Sequence, residues 1–164
     1  MMSRRALALG VLCGLACGAS AVAIERKPLP PFHALTPDGV AVASDRLSIE
    51  TRWLLVYLPP ANPSSARLVS ALVKWQNPAF VSRVVIIVGG PRDVAQAYIQ
   101  KLTARSPAPY RWLADPQLEA GLALGNGGSP MLIGVDRGIT EWSLAGVLDD
   151  PAALESVVRR WVEY

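Results

Sequence analysis

Cysteine is nearly missing from this chain. Two occur in 164 residues, Cys13 and Cys17, and both lie within the first 23. From Ile24 onward there is no thiol. That part therefore has no disulfide, no thiolate metal ligand and no cysteine nucleophile. Histidine is scarcer still. His33 stands alone, and a single imidazole without a cluster of other ligands makes no metal site. Past the N terminus Met131 is the only methionine, which argues against copper chemistry. Residues 125–128 read Gly-Asn-Gly-Gly, but no Lys-Ser/Thr ending follows and a helical pattern precedes them. That makes them a poor phosphate loop and a simpler approach to a proline turn. No metal and no cofactor is expected.

A strong charge of one sign is lacking too. The chain carries 16 basic and 13 acidic residues, net +3. Arg4 and Arg5 fall in the first 23 residues and no acid does, so the remainder holds 14 basic against 13 acidic residues, net +1. Its balance gives no argument for nucleic acid. What the N terminus does have is an export signature. A short basic region at Arg4 and Arg5 precedes the small, apolar residues 6–19, and Ala21-Val22-Ala23 is an A-x-A cleavage motif. The reading is a signal peptide over residues 1–23 and a mature start at Ile24. The alternative is an uncleaved membrane anchor, although the apolar stretch is short against the roughly 20 residues of a span. Ser3-Arg4-Arg5 faintly resembles a twin-arginine signal, but the general secretory route fits better. A lipoprotein signal at Cys17 is disfavoured by Gly14, where a large aliphatic residue is usual. The expected destination is the periplasm or the exterior.

The rest suits one domain with a full core. Residues 24–31 are charged and proline-rich and read as an extended linker or arm. Residues 32–35 and 40–42 flank a Pro37-Asp38-Gly39 turn, a small hairpin. Continuous apolar runs at 53–58 and 84–88 suit strands buried on both faces. A shorter strand is expected at 110–114. Strands at 131–135 and 139–144 flank an Asp136-Arg137-Gly138 turn. Asn62-Pro63, Gly90-Pro91, Asp115-Pro116 and Asp150-Pro151 each put a capping residue before a proline, a helix-start device. Helical spacing follows at Leu68, Leu72 and Trp75, at Val94, Tyr98 and Leu102, at Leu118 and Leu122, and at Leu154, Val158 and Trp161. Strands alternating with helices predict a layered α/β domain.

This order resembles the thioredoxin fold, in particular its extracytoplasmic thiol-disulfide reductase branch (TlpA/ResA type) and peroxiredoxin-like cousins. Residues 32–47 resemble that branch's N-terminal hairpin, and residues 54–68 its strand and active-site helix. Gly128-Ser129-Pro130-Met131 and the strand after it resemble its cis-proline segment. The resemblance implies a central mixed β-sheet flanked by helices, with an N-terminal β-hairpin, over residues 32–164. It also implies a Cys-x-x-Cys where strand meets helix, and here Asn62 and Ser65 take those two positions. Thiol-disulfide exchange needs a thiolate attacking sulfur, so the site is degenerate and no catalytic residue is expected.

What the resemblance leaves is a surface. Asn62, Pro63, Ser64, Ser65, Ser129 and Pro130 are the candidate binding residues. Asn62 also reads as an N-cap, and Ser64 and Ser65 as polar first-turn residues. Ser129 would offer backbone groups to an extended peptide if Ser129–Pro130 were cis, as in the family. The leading expectation is a non-catalytic binding or accessory protein that engages an envelope protein or an assembly complex. The alternative is an enzyme or binding protein that holds glutathione or another small anion at the helix N-terminus. His33 is expected half-buried in the hairpin. Trp75, Trp142 and Trp161 are expected in the core.

Overall fold

A computed structural model describes residues 22–75, 78–105, 110–146 and 151–162. Residues 1–21 of the expected leader, and Asp150, lie outside the described residues. The strands are β1 (Val22–Pro28), β2 (His33–Leu35), β3 (Ala41–Ala43), β4 (Arg52–Leu58), β5 (Val84–Gly89), β6 (Arg111–Asp115), β7 (Met131–Asp136) and β8 (Ile139–Ala145). The helices are α1 (Pro63–Val73), α2 (Pro78–Val81), α3 (Arg92–Arg105), α4 (Glu119–Ala123) and α5 (Pro151–Val162). The strands form one mixed sheet in the order β1-β8-β7-β4-β5-β6-β2-β3. β4, β5 and β6 run parallel, while β7 lies antiparallel to β4. Among the described residues no helix is long and apolar enough to cross a membrane.

The continuous apolar runs are explained by burial on both faces. Leu54, Val56 and Leu58 of β4, with Val84, Ile86 and Val88 of β5, face one core. Leu68, Leu72, Phe80, Leu154 and Val158 pack there from α1, α2 and α5. The alternate residues Trp53, Leu55, Tyr57, Val85 and Ile87 face a second core, closed by Phe32, Ala34 and Leu47 of the N-terminal segment and by Ala120 of α4. A strand with apolar neighbours on both sides loses the alternation that a half-exposed strand shows. Trp142 and Trp161 meet edge to face at 5.7 Å between ring centroids, and Trp161 Nε1 donates to Trp53 O at 3.0 Å. Arg52 covers the outer face of Trp161.

The structure corrects several expectations. Residues 24–31 are no free linker, because β1 pairs antiparallel with β8 and Leu29 N donates to Gly138 O at 2.8 Å. His33 is exposed rather than half-buried, and its backbone N–H and ring Nδ1 both meet Glu119 Oε1, at 3.0 and 3.1 Å. Asp115-Pro116 does not open a helix, since α4 starts only at Glu119. Leu118 and Leu122 mark that short helix as their spacing predicts, Leu118 at its N-cap and Leu122 within it, but neither is buried. They are 46% and 79% exposed, and Leu118 has a left-handed φ of 58°. Val94 is also exposed, unlike its expected partners Tyr98 and Leu102, which pack on the core.

Truncation should read out this division. Leu72→Ala removes a fully buried side chain and should lower unfolding free energy by about 2–5 kcal/mol in a denaturant titration. Ile49 is 99% exposed, and Ile49→Ala should stay within roughly 0.5 kcal/mol of wild type.

Candidate functional site

The site begins where β4 ends. Pro59 and Pro60 terminate the strand, and the chain turns into α1 through Asn62. Asn62 is extended (φ −88°, ψ 119°) and its Oδ1 accepts Ser64 N at 2.9 Å, an N-cap with Pro63 at the first helical position. Its carbonyl accepts Ser65 N at 3.0 Å. Its Nδ2 donates to Gly128 O at 3.0 Å, which ties the helix start to the loop before β7. Ser65 is fully buried, and its hydroxyl donates to Pro59 O at 2.8 Å. Ser64 Oγ accepts from Arg67 Nη2 at 2.7 Å. The first amides of α1 are thus satisfied from within the chain, which leaves little for an anion to bind.

Ser129 and Pro130 lie close by, but not as expected. No cis peptide bond occurs among the described residues, so Ser129–Pro130 is trans. The reversal that a cis bond would make is built otherwise. Gly128 takes φ 87°, and Asn126 clamps the turn with both ends of its amide. Its Oδ1 accepts Gly128 N at 2.7 Å and its Nδ2 donates to Ser129 O at 2.6 Å. Pro130 is buried and its carbonyl accepts Gly146 N at 2.8 Å. The Ser129 and Pro130 carbonyls are therefore already engaged. The Asn62–Gly128 bond brings the two halves of the expected surface together.

The open surface lies on the other flank of that bond. A groove of about 360 Å³ runs over Pro59, Pro60 and Ala61, past Gly89, Gly90, Pro91 and Val94, to Leu118, Gly121 and Leu122. Asn126 and Gly128 close one end. No lining residue is charged. It occupies the carboxyl ends of β4 and β5, where open α/β sheets bind ligands. Its exposed leucines and Val94 are residues whose spacing marked helices in the sequence. No single-sequence signal separates a leucine on a groove from a leucine in a core.

The floor is Tyr57. Its phenol donates to Asp115 Oδ2 at 3.1 Å, and Gly121 N donates to the same oxygen at 2.9 Å. Asp115 is 1% exposed, so these bonds supply what water otherwise would. Gly121 is the third residue of α4, so Asp115 caps that helix from across the turn. The helix start expected at Asp115-Pro116 does not form, and the carboxylate instead serves a helix that begins further on. A Cβ at Gly89 or at Gly121 would overlap the Tyr57 phenol, so both glycines make room for the ring. Burial, and then the charge and hydrogen bond of Asp115, push the Tyr57 phenol well above its ordinary 10.0. Burial alone raises Tyr110 to about 12.

These features decide the architecture. The fold is thioredoxin-like. Solved structures that are similar to this thioredoxin-like chain include a thiol:disulfide interchange protein from Bacteroides sp., with TM-score 0.63 and 13% identity over 85% of this chain and 90% of that one. Another is a secreted Mycobacterium tuberculosis disulfide oxidoreductase homologous to E. coli DsbE, with TM-score 0.59 and 17% identity over 79% and 95%. A third is BsSco, of the Sco family of cytochrome c oxidase assembly proteins, with TM-score 0.56 and 18% identity over 83% and 94%. No protein-family model matches the chain, and no curated protein does.

The Tyr57–Asp115 pair yields a pH test. The folded phenol stays protonated above 10.0, where an unfolded tyrosine ionises. Its contribution is therefore full below that pH and is lost as pH climbs toward the folded value. Tyr57→Phe should cost about 1.5–3 kcal/mol near neutrality. In denaturant titrations the gap to wild type should narrow above pH 10.0, the ordinary tyrosine value. Asn62→Ala should cost about 0.5–2 kcal/mol by loss of the cap.

Proposed function

We propose that this chain is an exported thioredoxin-fold binding protein that takes up an extended, uncharged polypeptide segment without performing thiol-disulfide exchange. One observation carries the reading. The positions where exchange would need thiols hold Asn62 and Ser65, both spent on internal hydrogen bonds, while an apolar groove stands open beside them. Exchange requires a thiolate, and the chain from Ile24 onward contains no cysteine. Export is supported by the N-terminal signature and by the likeness to a secreted Mycobacterium tuberculosis disulfide oxidoreductase. An accessory role in assembling an envelope complex is compatible with the likeness to BsSco.

Anion or glutathione binding at α1 has less support, because Ser64 N and Ser65 N are occupied by Asn62. The candidate residues keep a role in this proposal as the support beside the groove rather than its lining. Asn62 donates to the carbonyl of Gly128, a lining residue, Pro63 and Ser64 start the helix, and Ser129 and Pro130 lead into β7.

Two measurements test the reading. Protein shown by mass to begin at Ile24 should not accelerate insulin reduction by dithiothreitol, and clear acceleration overturns the non-redox claim. A displayed library of extended peptides should yield ligands poor in charge. Leu122→Asp should weaken them roughly tenfold or more, as expected when a charge is set against an apolar contact. Ser129→Ala should leave them near wild type, because the Ser129 carbonyl is already bonded to Asn126. If no peptide binds, or Leu122→Asp binds equally well, the groove is not the site.

A further inference from the structure

A second cavity lies between α3 and the N-terminal hairpin. Its volume is about 170 Å³, and it shares no lining residue with the groove. α3 gives it Arg92, Gln96 and Gln100, which follow one another at four-residue spacing and so form one stripe along the helix. Thr36 lines it from the hairpin turn. Leu35, Pro37, Ile99 and Ala114 make the rest of the lining apolar.

The polar side chains here are not spent on the fold. The hairpin turn closes on itself. Thr36 N donates to Val40 O at 2.9 Å, Gly39 N donates to Thr36 O at 2.8 Å, and Val40 N donates to Thr36 Oγ1 at 3.0 Å. The Thr36 hydroxyl accepts in that last bond, so its own proton is left for another partner. Among the described residues the Arg92 guanidinium and the Gln96 and Gln100 amides have no hydrogen-bond or ion-pair partner. Arg92 is nevertheless placed. A Cβ on Gly39 would come within 3.0 Å of Arg92 Nη2, so the guanidinium lies against the turn at a residue without a side chain, where φ is 87°.

This chemistry selects a ligand. A guanidinium presents paired N–H donors that match the two oxygens of a carboxylate. Asp38, next to Gly39, and Asp93, next to Arg92, are exposed, form no ion pair with Arg92 and do not line the cavity. With one cation in the lining and two acids beside it in the chain, the cavity suits an anion of a single charge over a dianion. Size sets the rest. An apolar cavity of about 150 Å³ takes up benzene, so this one holds about six or seven non-hydrogen atoms. We infer that the cavity binds a small monocarboxylate with a compact apolar body. The carboxylate pairs with Arg92, the Thr36 hydroxyl and the glutamine amides offer it further donors, and the body covers Leu35, Ile99 and Ala114.

The test is isothermal titration calorimetry of the purified protein with sodium 3-methylbutanoate, a branched carboxylate of that size, at neutral pH. Saturable binding at a single site is expected. The neutral isostere 3-methylbutanamide should bind roughly tenfold more weakly or worse, because it forfeits the charge-assisted pair. Acetate should also bind more weakly, since it leaves the apolar lining uncovered. Arg92→Gln should weaken 3-methylbutanoate roughly tenfold or more. Arg92 is exposed, so the variant should fold, and native tryptophan fluorescence checks that it does. Lys101 is exposed on the same helix and lies outside the cavity, so Lys101→Gln should bind as wild type does. No binding at millimolar 3-methylbutanoate overturns the inference, and so does equal binding by Arg92→Gln. An equal loss in Lys101→Gln reveals general attraction to positive charge and overturns the site. Inorganic phosphate binding more tightly than 3-methylbutanoate overturns the choice of a monocarboxylate.

Discussion

The groove depends on one buried hydrogen bond. Tyr57 stands one residue before the end of the central strand, with its ring beneath the surface and its phenol on Asp115, the last residue of β6. The same carboxylate oxygen holds Gly121 N and so fixes the start of α4. A buried carboxylate must find donors, because no water reaches it. Here one donor comes from β4 and the other from α4, so satisfying Asp115 joins two parallel strands and a helix at one point. Gly89 and Gly121 are small because the ring lies between them. Leu118 and Leu122, carried on the segment this bond anchors, become the outer wall of the groove. The left-handed backbone at Leu118 is a local cost that the anchored turn sustains.

The helix start shows how the strand-to-helix frame is kept without cysteine. In a thiol-based site the amides of the first turn stabilise a thiolate. In this chain an Asn side chain accepts one of those amides, and a Ser hydroxyl turns inward to Pro59 O. Both substitutions satisfy the backbone where a thiol would leave it available. The strand-to-helix geometry persists because it rests on two prolines, an N-cap and the packing of Leu68 and Leu72, none of which needs sulfur.

Most of the fold was legible because it rests on local chemistry. The runs at β4 and β5, the hairpin turn at Arg137 and Gly138, and the Asn62 cap all stand where their residues predict. Errors arose where a residue's partner is distant in sequence. Asp115 looked like an adjacent cap, whereas its carboxylate reaches Gly121 and Tyr57. Ser129–Pro130 looked cis, whereas Asn126 and Gly128 make the turn with a trans bond. Residues 24–31 looked like a linker because charge and proline mask a strand that borrows its hydrogen bonds from β8. The binding residues named from the frame proved to be neighbours of the open surface rather than its lining.

The sequence by itself determined what this protein lacks. Counting residues suffices to remove thiols, and with them thiol-disulfide exchange by its own cysteines, from the part from Ile24 onward, since exchange needs sulfur that the chain does not carry there. It also determined the order of the strands and helices from β2 onward, the short α2 excepted, because periodicity and caps act over a few residues. Only the tertiary structure decided which apolar side chains are buried and which line a groove, and which polar groups are already engaged. Those outcomes depend on contacts between β4, β6, α4 and the loop before β7. The chain brings these together across dozens of residues, and no local pattern records the meeting.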